Sequence, residues 1–136
     1  MRATTTLGND LAELPAALDW LEAGLRAAGV GEAVVGELRL AAEEGLSNVI
    51  RYAYADLARH TIEVTVEISG GEIRLALRDD GRPFNPLTAP APDLDGPIEQ
   101  RSNGGLGIHL LKNLVDRADY RREDCANVLC LVKRSK

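Results

Sequence analysis

Leu40-Ala-Ala-Glu-Glu-Gly-Leu-Ser-Asn48 lies inside a stretch whose apolar residues recur at helical spacing, with Val35, Leu38, Ala42, Leu46 and Val49 forming one stripe between about Glu32 and Tyr54. On such a helix Glu44 and Asn48 are four residues apart and project from one face, one turn from each other. An acid and an amide then point at the same spot. At 3.6 residues per turn the two side chains are about 40° apart, whereas Glu43 is turned about 140° from Asn48 and reads as an ordinary exposed glutamate.

Outward from this helix the chain reads as alternating blocks of structure. Residues 2 to 7 form a short strand, followed by a helix through Ala16, Leu18, Trp20, Leu21, Leu25 and Ala28 that stops at Gly29 to Gly31. That helix starts either at a capping box of Asp10 with Glu13, or with Pro15 as its first residue. Past Tyr54 the period changes to two. Thr61 to Ile68 and Ile73 to Arg78 alternate strictly, joined by the turn Ser69-Gly-Gly-Glu72, and so form a hairpin. Residues Arg82 to Asn103 are rich in Pro, Gly and Asp and have no period, which is the mark of a functional lid or a disordered loop. A helix over Gly105 to Asp116 and two strands, Ala118 to Arg122 and Asn127 to Lys133, close the chain.

These elements predict an α+β domain spanning 1–136: a two-layer sandwich of a mixed, mostly antiparallel sheet with helices on one face. Apolar residues make up 45% of the 136 and aromatic residues only 4%, so the core must be aliphatic. The net charge of −5 disfavours nucleic acid as a direct partner, because binding a phosphate backbone needs clustered Lys and Arg. No apolar run approaches the roughly 20 residues of a membrane span, and Met1-Arg-Ala-Thr-Thr-Thr lacks the apolar core of a signal peptide. The expectation is a cytoplasmic protein with no membrane contact. Cys125 and Cys130 lie near or within the last strand, too far apart to bridge if that strand runs through both, and are expected to be free thiols.

Two further segments carry chemistry. Asp79-Asp-Gly81 ends the second hairpin strand with a carboxylate and a glycine turn; alone, such a sequence is most often a simple turn. Gly104-Gly-Leu-Gly107 opens the later helix, where exposed backbone N–H groups and the positive end of the helix suit a phosphate. Neither Gly-x-x-x-x-Gly-Lys-Ser/Thr nor a kinase-type catalytic loop is present.

In their order and spacing, Glu44-x-x-x-Asn48, Asp79-x-Gly81 and the Gly-x-Gly at 105–107 resemble the N, G1 and G2 boxes of the Bergerat-fold ATPases, the GHKL superfamily. Three longer runs narrow the resemblance to the small bacterial serine kinases that also act as anti-sigma factors in partner switching, the RsbW type: Asn48-Val-Ile-Arg-Tyr-Ala-Tyr54, Asp79-Asp-Gly-Arg-Pro-Phe-Asn-Pro86, and Gly104 to Asp116.

The resemblance implies an ATP- and Mg²⁺-dependent serine/threonine kinase that phosphorylates a STAS-type antagonist, sequesters a sigma factor or another regulator, and forms a homodimer. It implies Glu44 as general base, Asn48 as magnesium ligand, and Asp79 as the acceptor of the adenine amine. Gly81 is expected to let the backbone approach the base, and Gly104, Gly105, Leu106 and Gly107 to wrap the phosphates under a lid at 82–103. Arg101 and His109 lie beside that turn and read better as surface residues. The chain departs from the family pattern at Tyr52, where many relatives carry histidine, and at Pro83, where a second glycine is common. The rival reading is a non-catalytic module of the same fold that binds nucleotide only to shape a protein interface. A histidine-kinase catalytic domain is disfavoured, because no helical hairpin bearing a phosphorylatable histidine accompanies these boxes.

Overall fold

The period-two segment folds as predicted: β2 (Thr61–Ser69) and β3 (Glu72–Asp79) pair antiparallel, with Ile68 opposite Ile73. Gly70 and Gly71 make the turn at φ of 60° and 77°, left-handed values that match the twist of the flanking strands and that glycine adopts without a Cβ clash. Ile62, Val64 and Val66 of β2 and Ile73, Leu75 and Leu77 of β3 are buried on one face, so the register is fixed by the core. The computed structural model describes residues 1–88 and 110–135.

Three more strands, β1 (Arg2–Gly8), β4 (Arg117–Glu123) and β5 (Ala126–Arg134), complete a sheet of order β1-β2-β3-β5-β4. Its pairings among the described residues are all antiparallel, where the sequence suggested a mixed sheet. The reason is the direction of return: β2 starts opposite the end of β1, Gly8 against Thr61, and β5 starts beside the end of β3, Asp79 against Asn127.

Helices α1 (Leu14–Ala27) and α2 (Glu32–Tyr52) lie against each other over the inner face, and residues 110–114 form a further helical stretch, α3. Before α1 comes a 3-10 turn, Leu11–Glu13, capped by Asp10, whose side chain accepts from Ala12 N–H at 2.9 Å. Glu13 reaches back to Gly8 N–H at 3.0 Å and not to Asp10, so half of the anticipated capping box forms; Pro15 sits in the first turn of α1. Helix α2 stops at Tyr52, two residues earlier than its apolar stripe suggested.

The core is aliphatic, built from α1 and α2 leucines and valines against inward residues of β2, β3 and β5, with Trp20 and Phe84 half-buried at its edge. Gly45 sets the distance between layers. A Cβ there would lie 2.9 Å from Leu77 Cδ1 and 3.3 Å from Leu129 Cδ2, so α2 packs closely on the sheet one residue after Glu44. On the outer face Val128, Cys130 and Val132 of β5 are also buried, flanked in register by Arg74 and Arg78 of β3 and Arg117 and Arg121 of β4, whose alkyl stems cover apolar surface while their guanidiniums stay in water. Cys125 lies in the β4–β5 turn and Cys130 in β5; both are free thiols. No helix among the described residues is long and apolar enough to cross a membrane.

Candidate functional site

The second half of α2 carries the first part of the site. Asn48 is only 4% exposed, and its Nδ2 donates to the Glu44 carbonyl at 2.7 Å, one turn back; Ser47 Oγ donates to the same carbonyl at 3.2 Å. This back-bonding fixes which end of the amide faces outward from the helix axis. No described residue donates to the side-chain oxygen Oδ1 of Asn48, which leaves a neutral, hard acceptor at that position. Glu44 is half-buried while Glu43 is exposed, the difference that helical geometry requires of adjacent residues. Burial, and next the like charge of Glu43, raise the Glu44 carboxyl above its ordinary value against an opposing pull from Arg51. A carboxylate so placed is a better proton acceptor than an exposed one.

The second part is a corner where β3, β5 and the end of α2 meet. Asp79 closes β3 and is 3% exposed; its Oδ1 accepts from Gly81 N–H at 2.9 Å and from Asn127 Nδ2 at 2.9 Å. Burial raises its carboxyl above the usual range, and the two hydrogen bonds oppose that shift. Asn127, at the start of β5 and 2% exposed, also donates from Nδ2 to the Arg82 carbonyl at 2.8 Å. Its oxygen accepts from Phe84 N–H at 3.2 Å, Tyr120 Oη at 2.5 Å and Arg122 Nη1 at 3.2 Å. Arg122 Nη1 in addition donates to the Gly81 carbonyl at 2.7 Å.

Within the fold itself Gly81 is required by its packing. A Cβ on it would sit 2.4 Å from the Ala53 carbonyl oxygen and 2.8 Å from Ala53 Cβ. The turn after β3 therefore packs directly on the end of α2. It also caps that helix: Arg82 N–H donates to the Ala53 carbonyl at 2.8 Å and Arg82 Nε to the Tyr52 carbonyl at 3.1 Å, satisfying groups that a helix C-terminus leaves open. These bonds explain the early end of α2. They also bring the two parts of the site together, because Ala53 is five residues past Asn48, about 7 Å along the axis at about 1.5 Å per residue.

Around this corner Tyr52 meets Phe84 with ring centroids 6.0 Å apart. Tyr54 stacks on His60 at 4.4 Å, and its hydroxyl is the one buried side-chain polar atom without a hydrogen-bond partner among the described residues. Burial, reinforced by Asp79, raises the Tyr54 phenol far above its usual range. His60 bridges Asp56, 2.7 Å from Nε2, and Asp80, 3.2 Å from Nδ1, tying the loop after α2 to the residue beside Asp79. Of the segment 82–103, residues 82–88 are described and are anchored: Asn85 Oδ1 accepts from Leu87 N–H at 2.9 Å at the head of a 3-10 turn, Pro86–Thr88, and Lys112 Nζ of α3 donates to the Leu87 carbonyl at 2.6 Å. The rest of that segment, Arg101, Gly104, Gly105, Leu106, Gly107 and His109 lie outside the described residues.

Glu44, Asn48, Asp79 and Gly81 are thus placed on two connected parts of one surface, and the residues that connect them, Asn127, Arg122 and Ala53, had no assigned role in the sequence. Asn127 left a signal there: it is the polar residue at an inward position of an otherwise apolar closing strand, in phase with Leu129 and Leu131.

Residues 7–133 match the histidine kinase-like ATPase domain family. Serine/threonine-protein kinase BtrW of Bordetella bronchiseptica is 29% identical over 98 residues, which cover 72% of this chain and 69% of BtrW. The crystal structure of the RsbU and RsbW domains of Rv1364c from Mycobacterium tuberculosis superposes with a TM-score of 0.71 and 17% identity, over 98% of this chain and 32% of that one. The chain spans about a third of that larger molecule, and the likeness between them is one of fold.

Proposed function

The chain belongs to the histidine kinase-like ATPase domain family, and we propose that within it this protein is an ATP- and Mg²⁺-dependent kinase that phosphorylates a serine or threonine of a STAS-type antagonist. In the same reading it is a single domain over 1–136 that forms a homodimer and sequesters a sigma factor or another regulator. The observation that carries the nucleotide part is the Asp79 corner, a buried carboxylate whose Oδ1 is taken by two donors and whose Oδ2 has none among the described residues. A carboxylate oxygen of this kind suits the exocyclic amine of adenine and opposes the carbonyl that guanine presents there. Similarity to a serine/threonine-protein kinase supports transfer to a protein hydroxyl.

Asn48 fits a magnesium ion, because a neutral amide oxygen binds a hard cation without adding negative charge beside a triphosphate. The described residues contain no group of three or more His, Cys, Asp or Glu able to hold a metal by themselves, and in this reading phosphate oxygens and water would complete the coordination. Bound MgATP supplies the γ-phosphoryl group and neutralises its charge. Glu44, raised in basicity by burial, accepts the proton of the attacking hydroxyl as its oxygen bonds to phosphorus and the bond to the ADP oxygen breaks. The backbone at 104–107 is assigned to the phosphates. Incubation with γ-labelled ATP, Mg²⁺ and STAS-domain proteins of the same organism tests the reading: label on a serine or threonine of one of them supports it, and ATP binding with no transfer to any of them refutes the kinase assignment.

A further inference from the structure

Asp79 and Asn127 face each other across β3 and β5, directly opposite in register and both on the inner face of the sheet. An asparagine side chain offers two N–H donors and one oxygen, and here all of them are engaged. The two donors reach Asp79 Oδ1 at 2.9 Å and the Arg82 carbonyl at 2.8 Å. The oxygen takes Phe84 N–H, Tyr120 Oη and Arg122 Nη1. Rotating the amide by half a turn would set its oxygen against two acceptors, a carboxylate and a carbonyl, and its nitrogen against two obligate donors, Phe84 N–H and Arg122 Nη1, while the Tyr120 hydroxyl could serve either way. One orientation is therefore enforced from four directions, and it presents a donor to Asp79.

A carboxylate free to spin about its Cβ–Cγ bond offers either oxygen in many directions. Asp79 is not free: two donors hold Oδ1, one from the strand opposite and one from its own turn, and together they set the carboxylate plane. Among the described residues Oδ2 is then the atom left for a ligand, and its lone pairs point where that plane directs them. From this geometry we propose that Asn127 is a positioning residue for nucleotide recognition, which holds the Asp79 carboxylate in the orientation that takes the 6-amino group of a purine. This rests on the adenine-binding reading above and adds to it the source of its selectivity. Serine or alanine cannot reproduce the arrangement, since serine has one donor and alanine none.

The measurement is the ratio of affinities for ATP and for purine riboside triphosphate, which carries hydrogen in place of the 6-amine, determined by calorimetry on the full chain with Mg²⁺. Wild-type protein should favour ATP by about tenfold or more, the effect of one hydrogen bond to a charged group. In Asn127→Ala the ratio should fall to within about threefold, because the amine loses its oriented acceptor while the rest of the nucleotide is held as before. Asn127→Ser fills more of the site and keeps an acceptor for Phe84 N–H, so it provides the same reading where the alanine variant does not fold. It should give an intermediate ratio. If Asn127 serves only to close the turn, both nucleotides weaken by the same factor and the ratio stays at the wild-type value, which overturns the proposal and leaves the adenine contact standing. If the wild-type protein itself does not distinguish the two nucleotides, the adenine contact of Asp79 is wrong, and the role of Asn127 falls with it.

Discussion

The Asp79 corner and the Glu44–Asn48 turn of α2, which the proposed function joins in one nucleotide site, are stabilised in opposite ways. The corner is closed by hydrogen bonds from three elements: Asn127 from β5, Gly81 N–H from the turn after β3, and Arg122 from β4, with the turn packed on Ala53 at the end of α2. The helix turn is restrained only from within, by the Asn48 and Ser47 side-chain bonds to the Glu44 carbonyl, and leaves the Glu44 carboxylate and Asn48 Oδ1 without donors among the described residues. Selecting a base needs an acceptor that does not move, since a mobile carboxylate accommodates the wrong group at little cost. Holding a metal and moving a proton need acceptors that are not already occupied. In the proposed function, recognition is accordingly built into the sheet, and chemistry is placed on a helix face.

If that division is correct, substitutions at the two places should fail in different ways. Asn48→Ala should remove the Mg²⁺-dependent part of nucleotide binding altogether, seen as coincident ATP titrations with Mg²⁺ and with chelator, where wild-type protein shows two separate curves. Persistence of the Mg²⁺ effect would mean that the metal is held from elsewhere.

Asp79→Asn should weaken ATP binding by about tenfold to a hundredfold, the equivalent of about 1.5–3 kcal/mol for a hydrogen bond to a charged acceptor. Because burial raises the folded-state value of this carboxyl, its charged form is lost at a higher pH than for an exposed aspartate. Wild-type affinity should thus decline on acidification from above the ordinary carboxylate range, and Asp79→Asn should lack that limb. A calorimetric titration series over pH checks both.

Two glycines sharpen the contrast between packing and helix propensity. Gly81→Ala places a Cβ 2.4 Å from a backbone carbonyl and should cost about 1–3 kcal/mol by overpacking, together with some ATP affinity as the corner shifts. Gly36→Ala, on an exposed position of α2 with nothing within 4 Å of the new Cβ, should stabilise by up to about 1 kcal/mol through helix propensity. Chemical denaturation of the pair should give changes of opposite sign.

The smallest effect lies in the turn that leads into Asn127. Asp124 and Cys125 both have positive φ, 49° and 63°, the geometry of a tight hairpin turn in which glycine is preferred at the second place. Cys125→Gly should stabilise by about 0.5–1 kcal/mol, the left-handed strain relieved less the entropic cost of glycine. A lower midpoint in denaturant would show that the cysteine makes compensating contacts.

Much of this was readable from the residues in order. The α2 stripe and the strict alternation at 61–78 report directly on burial, because a helix and a half-buried strand each have a fixed period, and Ile62, Val64, Val66, Ile73, Leu75 and Leu77 all lie in the core. Glu44 and Glu43 likewise separate by exposure as their helical angles require. What was not readable depends on contacts between distant segments. The need for Gly81 comes from Ala53, twenty-eight residues earlier, and the early stop of α2 comes from Arg82. The partner of Asp79 is Asn127, a pairing that exists only once β5 is set beside β3. Strand β5 itself hides its alternation, because outward Val128, Cys130 and Val132 are shielded by arginine stems and the strand reads as apolar on both faces.

Glu44 and Glu43 are the most direct test of the claim that one helix face carries the transfer chemistry. ATP binding by calorimetry and label transfer from γ-labelled ATP to the antagonist should be measured side by side for Glu44→Ala and Glu43→Ala. Glu44→Ala should bind ATP nearly as wild-type protein does while transferring phosphate about a hundredfold more slowly or worse, the usual loss for a missing general base, and Glu43→Ala should change neither. Equal transfer defects in the two variants, or full activity of Glu44→Ala, would contradict it.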